Sequence, residues 1–319
     1  MLIVFGYIVY LIHALMIHHQ RYNEVKLCEF TIDERRSNHI KRAYQICISF
    51  TFMPERTDPT QKMNRPFYSQ YRAAYEYASQ FIQAKSVLDV GCGEGYGACL
   101  LARQAKKVVA IDRNKKTIQQ AKRRYPLPNL SFDVQDVERF SEGFSYSFDV
   151  ICCFHVIEHL KEPGQFLENI GKLLSESGIL LISTPNRHSP FRCATGFEWP
   201  YHEREYTVDE FHDLLSTYFK NVTLYALHAC EKVQQFQDVR AQYIQQIFRW
   251  DILSMRRWLP KRLLQLSFDI GGKVLKSFMN ANHGGLISSI TVSDFHVTEK
   301  QTNKGLDLIG VCKNPQSYF

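Results

Sequence analysis

Val87-Leu-Asp-Val-Gly-Cys-Gly-Glu-Gly-Tyr-Gly97 is the stretch on which the interpretation of the whole chain depends. It continues a short β-branched run that begins at Ser86, and it leads into a segment with helical periodicity from Tyr96 to Ala105. Glycine adopts backbone angles that are closed to other residues, and ligands of open α/β sheets bind where strands end. The stretch therefore predicts a strand, a ligand-binding turn and a helix.

Apolar strand patterns alternate with amphipathic helix patterns along most of the chain. A helix from Phe67 to Ala84 precedes the glycine-rich turn. Near-continuous apolar strands between helices are typical of a parallel sheet with both faces covered. The pattern predicts an α/β fold with an open, doubly wound, mostly parallel sheet. The predicted strands are Ser86–Val90, Lys107–Asp112, Leu130–Val134, Phe148–Cys153, Gly178–Ser183, Asn221–Leu227 and Asp307–Cys312, and further helices are predicted at Lys115–Tyr125, Pro163–Leu174 and Thr207–Tyr218.

A long insertion, Val233–Phe295, interrupts this alternation. Because it separates the last two predicted strands, we expect it to form a helical cap above the ligand site. The predicted domains are a leader at 1–52, a ligand-binding core at 53–232, the cap insertion at 233–295, and the final core strand and tail at 296–319.

The leader is apolar at its start and basic afterwards. Its first seventeen residues are shorter than the roughly 20 residues of a membrane-spanning helix, and they contain His13. Met53 begins the stretch that leads directly into the first predicted helix. This favours Met53 as the true start and predicts that residues 1–52 are not part of the native fold, whereas the alternative is a marginal membrane anchor.

The spacing of the glycines distinguishes two kinds of cofactor. The dinucleotide fingerprint is G-x-G-x-x-G, but here Tyr96 stands where the third glycine would be and Gly95 comes one position early. The series Asp89-x-Gly91-x-Gly93-x-Gly95 instead resembles the class I S-adenosylmethionine-dependent methyltransferases. The resemblance implies a Rossmann-like methyltransferase fold and S-adenosyl-L-methionine as the cofactor.

The resemblance covers roughly residues 67–227 and the last strand. It implies that Asp112 takes both ribose hydroxyls and that Asp136 lies beside the adenine. It continues in Phe148–Ile151 and in Val156–Leu160, a segment that walls the methyl-transfer site in that family. The cofactor-binding residues that it implies are Asp89, Gly91, Cys92, Gly93, Gly95, Asp112, Arg113, Asp136, Val137 and His155.

His155-Val-Ile-Glu158-His159 also has the H-x-x-E-H spacing of some zinc proteases. Such a site needs a regular helix and a further carboxylate, whereas this segment leaves a strand inside a cofactor-binding frame. The segment also resembles the loop in which carboxylates and a histidine of ubiquinone-pathway O-methyltransferases hold a divalent metal. Because His155 stands at one carboxylate position, we predict no metal.

A second polar cluster follows the fifth predicted strand. Ser183–Arg187 and Trp199–Thr207 resemble the corresponding loop of many bacterial small-molecule methyltransferases. We predict that His202 lies over the methyl-transfer site and deprotonates or orients the acceptor, since a pKa near 6.5 suits a base working near neutrality. His155 is the second catalytic candidate. The alternative is that His202 caps the next helix.

Composition restricts the partners and the compartment. A net charge of +7 over 319 residues argues against specific nucleic-acid binding. Nine cysteines, an odd number, favour a reducing, cytoplasmic location. The stretch 234–262 is basic and rich in aromatic residues, so it either contacts a membrane surface or forms a solvated helical cap.

The sequence thus predicts a methyltransferase that acts on a small molecule, a glycan precursor or a quinone-like lipid, at oxygen. Two alternatives remain: an NAD(P)-dependent oxidoreductase, and a non-catalytic scaffold that only binds the cofactor. The identity of the acceptor and the oligomeric state do not follow from the sequence.

Overall fold

The computed structural model describes residues 64–138, 147–196, 199–250, 265, 275, 279 and 281–316. Its helices are α1 (Arg65–Ala78), α2 (Tyr96–Leu101), α3 (Lys115–Arg124), α4 (Pro163–Leu173), α5 (Pro190–Thr195), α6 (Val208–Tyr218) and α7 (Glu231–Trp250), and residues 281–289 are also helical. Its strands are β1 (Ser86–Val90), β2 (Lys107–Asp112), β3 (Leu130–Val134), β4 (Phe148–Phe154), β5 (Leu174–Pro185), β6 (Phe219–Ala229), β7 (Phe295–Thr298) and β8 (Asp307–Pro315).

The eight strands form one sheet in the order β3-β2-β1-β4-β5-β8-β6-β7. Strands β1 to β5 pair in parallel, whereas β8 lies between β5 and β6 and is antiparallel to both. Strand β7 pairs with β6 in antiparallel fashion. The predicted α/β class with a mostly parallel, doubly wound sheet is confirmed. The four-residue strand β7 was not predicted, because it is short and lies at the boundary of the insertion.

The central strands are apolar on both faces, as a covered parallel sheet requires. Leu88 in β1, Ile151 in β4 and Leu180 in β5 are fully buried, and so are the neighbours of Leu88 and Ile151 along their strands, whereas Ile179 beside Leu180 is half-buried. Burying a side chain of this size contributes roughly 1.5 to 3 kcal/mol. These strands therefore form a stable framework for the site at their carboxyl ends.

Side-chain caps fix where the helices begin. Thr207 and Glu210 form a reciprocal capping box at the start of α6, with the Glu210 amide 3.3 Å from the Thr207 hydroxyl and the Thr207 amide 2.9 Å from the Glu210 carboxylate. Asn114 caps α3 by accepting a hydrogen bond from the Thr117 amide at 3.0 Å. Helix α1 ends earlier than predicted, because a 3-10 turn follows Ala78.

The chain divides into two compact units. One comprises residues 56–242 and 282–319 and contains the whole sheet, and the other comprises residues 1–55 and 243–281. In the part of the chain that the structure describes, no helix is both long and apolar enough to cross a membrane. The leader 1–52 and residues 251–262 of the basic stretch lie outside the described residues. The predicted domain boundaries, the cap position, the anchor and the membrane contact stay predictions.

The order of the strands places a crevice between β1 and β4. These neighbours are separated in the sequence by β2 and β3, so the chain leaves them toward opposite sides, and ligands of doubly wound sheets bind at such a switch point. Because β8 is antiparallel to β5, its first residue pairs with the last residue of β5, Pro185. Asp307 therefore joins this edge of the sheet.

Candidate active site

The turn after β1 is built from three glycines in the left-handed region. Gly91, Gly93 and Gly95 have φ of +74°, +50° and +79°. The amides of Gly91 and Cys92 donate to the carbonyl of Ile111 in β2 at 2.8 and 2.9 Å. Since other residues adopt these angles at a cost of roughly 1 to 2 kcal/mol each, the glycines allow the turn to hold its shape.

The three glycines differ in what surrounds them. A Cβ atom on Gly91 would lie 2.4 Å from Cγ2 of Val156, and one on Gly95 would lie 2.8 Å from the Phe132 ring. At Gly93, no atom of the described residues beyond its two chain neighbours lies within 4 Å of a Cβ atom. Close packing thus requires glycine at positions 91 and 95, whereas Gly93 faces open space.

Asp112 links the end of β2 to the glycine-rich turn. Its Oδ2 accepts a hydrogen bond from the Gly93 amide at 3.1 Å, and its Oδ1 accepts one from the Asn114 amide at 2.8 Å. Both carboxylate oxygens of Asp112 thus face the glycine-rich turn and the start of α3. The contact with the ribose hydroxyls stays a prediction.

Asp89 is fully buried beneath the turn. The hydroxyl of Tyr75 in α1 donates to its Oδ1 at 3.1 Å. Burial raises the pKa of the Asp89 carboxyl to about 7, although the Tyr75 hydrogen bond opposes the rise. Tyr75 also explains Gly97, because a Cβ atom there would lie 2.1 Å from the tyrosine ring.

Asp89→Asn is expected to change how stability depends on pH. A carboxyl whose pKa is raised on folding keeps its proton in the folded state between about pH 4 and 7, where the unfolded chain has lost it, so stability falls as pH rises through that window. Asparagine cannot ionise. The free energy of unfolding of Asp89→Asn relative to that of the parent, measured by urea titration, should therefore rise by on the order of 2 to 4 kcal/mol from pH 5 to pH 8.

Asp149→Asn is the matched control for that series. The Ser86 amide and hydroxyl donate to the Asp149 carboxylate at 2.8 and 2.9 Å, and the amide contact chiefly lowers its pKa. A carboxyl with a lowered pKa loses its contribution only below about pH 4. The stability difference for Asp149→Asn should be constant from pH 5 to 8, and an equally constant difference for Asp89→Asn would contradict the raised pKa.

His155 follows β4 in a left-handed conformation, with φ of +56° and its amide donating to the Ser183 carbonyl at 3.1 Å. Its Nδ1 lies 3.3 Å from Glu158 Oε1, and its Nε2 lies 3.2 Å from Asp307 Oδ2. Burial lowers the pKa of His155, but the two carboxylates outweigh burial and hold it well above 6.5. The Tyr71 ring contacts the imidazole edge-on, with 4.6 Å between centroids. His155 is thus fixed on three sides.

His202 lies in the loop after β5 and is held by Glu205. Its Nδ1 is 2.6 Å from Glu205 Oε1, and Arg192 pairs with the same carboxylate oxygen. Burial lowers the pKa of His202 to about 3. The Glu158 carboxylate opposes this shift, and nearby positive groups add to it. This pKa lies below the 6.5 of a free imidazole because the ring is largely withdrawn from water, so the role of His202 as a base stays a prediction and an orienting role suits it as well.

The structure brings the two predicted catalytic histidines to one place through Glu158. The amides of Glu203 and Arg204, in the same loop as His202, donate to the Glu158 carbonyl at 2.8 and 3.2 Å. The alternative that His202 caps α6 is wrong, because Thr207 provides that cap. His202 and His155 therefore belong to a single wall.

The residues predicted at the adenine end follow β2 and β3. Arg113 and Asp136 are exposed, and Asp136 accepts a hydrogen bond from the Glu138 amide at 3.2 Å. Val137 is buried. An acidic and an apolar side chain at adjacent positions suit an adenine that is hydrogen-bonded at its edge and covered on its face.

Three residues of the site were missed by the sequence analysis. Asp307 was predicted only as part of a strand, and its role depends on the pairing of β8 with β5, which no local pattern reveals. Tyr75 is buried in α1, and no sequence pattern indicated its contact with Asp89. Glu205 had one available signal, its position three residues after His202 in a polar loop.

Comparison with known proteins identifies relatives of this chain. A family model described as a methyltransferase domain matches residues 83–248. A second model, for protein-L-isoaspartate(D-aspartate) O-methyltransferase, matches residues 13–141.

Two named relatives cover part of the chain. The protein named probable S-adenosylmethionine-dependent methyltransferase Rv3030, from Mycobacterium tuberculosis, is 34% identical over 168 residues, which are 52% of this chain and 59% of that protein. The ubiquinone biosynthesis O-methyltransferase of Coxiella burnetii is 31% identical over 135 residues, which are 41% of this chain and 57% of that protein. The chain thus spans less than two thirds of each relative's length.

Solved structures resemble the chain more distantly. The YcgJ protein from Bacillus subtilis has a TM-score of 0.43 at 14% identity, covering 76% of this chain and 99% of that one. The N-methyltransferase NodS from Bradyrhizobium japonicum, in complex with S-adenosyl-L-homocysteine, has a TM-score of 0.43 at 18% identity, covering 60% of this chain and 93% of that one.

Proposed function

Because the chain belongs to the methyltransferase-domain family, we propose that it transfers the methyl group of S-adenosyl-L-methionine to an oxygen of a small-molecule or lipid-like acceptor. The observation that carries the proposal is the open space at Gly93 with the Asp112 carboxylate beside it. A ligand could approach the Gly93 backbone closely, and the Asp112 carboxylate beside it would accept hydrogen bonds from sugar hydroxyls. The methyltransferase-domain match and the relative named as S-adenosylmethionine-dependent support the cofactor.

The cofactor half of the site is the edge formed by the ends of β1, β2 and β3. The backbone of Gly91–Gly95 would line the methionine end of S-adenosyl-L-methionine, Asp112 would hold the ribose, and Arg113, Asp136 and Val137 would surround the adenine. Bound there, the cofactor supplies a methyl group on a positively charged sulfonium. The residues fit this group because the turn combines left-handed glycines with hydrogen bonds from Gly91 and Cys92 to Ile111.

The acceptor half is the wall that contains His155 and His202. Glu158 and Asp307 place two buried carboxylates around the single imidazole of His155, so this part of the wall is negative whether or not the imidazole is protonated. A negative wall suits a sulfonium cation better than a positive one. We assign acceptor positioning to this wall.

Methyl transfer depends mainly on how the two reacting groups are positioned. Methyl transfer is an in-line displacement, so holding the acceptor and the methyl group at near-attack distance in a dry site accounts for most of the acceleration. His155 is fixed by contacts on three sides, and Glu205 and Arg192 hold His202 in place. Rigid, half-buried side chains of this kind orient an acceptor without having to titrate.

A lipid-like acceptor would bring the protein to a membrane surface. The basic and aromatic stretch 234–262 is the part of the chain with the composition for that contact. We propose peripheral contact there for a cytoplasmic enzyme. The support is the sequence of the stretch and the helical structure of its described part, residues 234–250.

The proposed function is tested by ligand titration followed by methyl transfer. Calorimetric titration should show binding of S-adenosyl-L-homocysteine and none of NADH. With methyl-labelled S-adenosyl-L-methionine, label should pass to hydroxylated small molecules or to an organic-extractable lipid fraction. Binding of NADH alone would support the oxidoreductase. Binding of S-adenosyl-L-homocysteine without transfer of the labelled methyl group to any fraction would support a scaffold.

A further inference from the structure

Glu158, His159 and His202 bring three metal-ligand atoms together. One ligand atom from each lies within 4.8 Å of the other two. Glu158 is fully buried, and among the described residues its Oε1 has the 3.3 Å contact with Nδ1 of His155, which falls short of hydrogen-bond geometry. A carboxylate oxygen with one such contact keeps lone-pair capacity for a further ligand.

The tautomers of both histidines fit metal binding. Nδ1 of His159 lies 3.1 Å from the carbonyl oxygen of Tyr201, which can only accept, so Nδ1 carries the proton. Nδ1 of His202 donates in the same way to the Glu205 carboxylate at 2.6 Å. With the proton on Nδ1, the ligand atom that each ring offers is Nε2. Metal-binding histidines usually have this outer hydrogen bond, which fixes both the tautomer and the ring orientation.

We propose that Glu158, His159 and His202 bind one Zn²⁺ ion or a similar divalent first-row transition-metal ion. Two imidazole nitrogens and one carboxylate suit Zn²⁺ and its first-row neighbours, whereas Mg²⁺ prefers an all-oxygen shell. The two rings lie 4.9 Å apart between centroids, so small rotations bring both nitrogens to one ion. Three protein ligands leave at least one coordination position open.

This proposal replaces our prediction that no metal binds. That prediction considered one loop, in which His155 stands at a carboxylate position. The structure takes the third ligand from another loop, because the amides of residues 203 and 204 bind the Glu158 carbonyl and bring His202 to the loop after β4. His155 itself pairs with Glu158 and Asp307, outside the ligand set.

The open coordination position gives the ion a place in the proposed reaction. A metal ion in the acceptor wall would bind an acceptor oxygen and fix its position, which is the positioning that we assigned to this wall. This role rests on the proposed function. The metal site itself does not, because it depends only on the three side chains and their outer partners.

Zn²⁺ binding tests the site directly. Full-length protein freed of metal with a chelator is titrated with Zn²⁺ by calorimetry, together with His202→Ala and the matched control His212→Ala, whose histidine is exposed on α6. The chain has twelve histidines and nine cysteines, so the comparison rests on the difference in stoichiometry. The parent and His212→Ala should each bind one equivalent more than His202→Ala, and Zn²⁺ should raise their melting temperatures further.

Glu158→Gln keeps the test informative if His202→Ala fails to fold. It preserves the shape of the side chain and removes its charge, so it should lose the same equivalent of Zn²⁺. Equal stoichiometry in the parent and in the folded variants would overturn the metal site. Titration of S-adenosyl-L-homocysteine into the same samples separates the two proposals. If the protein binds S-adenosyl-L-homocysteine but no specific Zn²⁺, only the metal site is contradicted. If it binds Zn²⁺ at this site but no S-adenosyl-L-homocysteine, only the proposed function is contradicted.

Discussion

Asp112→Ala is expected to weaken binding of S-adenosyl-L-homocysteine at least tenfold in calorimetry. The carboxylate would accept two ribose hydroxyls, and each charge-assisted hydrogen bond contributes roughly 1.5 to 3 kcal/mol. The same substitution removes the acceptor of the Gly93 amide at 3.1 Å, so the glycine-rich turn also loses a contact that fixes its shape. Both losses act in the same direction.

Two further variants separate these causes. Asp133→Ala removes an exposed carboxylate from the neighbouring strand β3 and should leave the affinity unchanged. Asp112→Asn keeps one carbonyl oxygen, which can accept from Gly93, but it removes the charge and one ribose acceptor, so an intermediate affinity is expected. Unchanged affinity in a folded Asp112→Ala variant would contradict the ribose assignment.

The glycine-rich turn and the positions of Asp89 and Asp112 at the strand ends could be predicted because their determinants are local. The strand β1, the turn and Asp89 follow one another within a few residues, and the glycines reveal the turn without reference to the rest of the fold. Asp112 was predictable because it ends the next apolar run. In a doubly wound sheet, consecutive strand ends meet at one edge, so positions in the sequence translate directly into positions in space.

The acceptor half depends on contacts that no local pattern encodes. Asp307 reaches His155 only because β8 inserts antiparallel between β5 and β6. The pKa of His202 depends on how deeply the loop packs, and its side chain is only 12% exposed, which no local pattern indicates. Periodicity predicts which face of an element is buried, but it does not predict which charged groups meet there.

Strand β7 illustrates the same limit for the fold. Its residues Phe295–Thr298 are too few for an alternating pattern to be recognised, and the strand exists because the edge of β6 is available for pairing. Similarly, helix α2 ends at Leu101 rather than at the predicted Ala105. Short elements and element ends depend on tertiary contacts more than on local sequence.

The second large effect is expected from the first glycine of the turn. Gly91→Ala places a Cβ atom 2.4 Å from Cγ2 of Val156 in a backbone with φ of +74°. The left-handed conformation costs roughly 1 to 2 kcal/mol, and overpacking costs typically 1 to 3 kcal/mol more. We expect the free energy of unfolding, measured by urea titration, to fall by about 2 to 5 kcal/mol, with binding of S-adenosyl-L-homocysteine lost.

Gly93→Ala is the matched comparison, because it has the same kind of backbone and open surroundings. With φ of +50° and no atom of the described residues beyond its chain neighbours within 4 Å of its Cβ, it should lose only the conformational part, about 1 to 2 kcal/mol, while the methyl group would occupy space that we assign to the cofactor. Adding Val156→Ala to Gly91→Ala should recover the part due to the clash, which a double-mutant cycle measures. Equal destabilisation of Gly91→Ala and Gly93→Ala, with no coupling to position 156, would show that strain alone shapes this turn and that Val156 does not wall it.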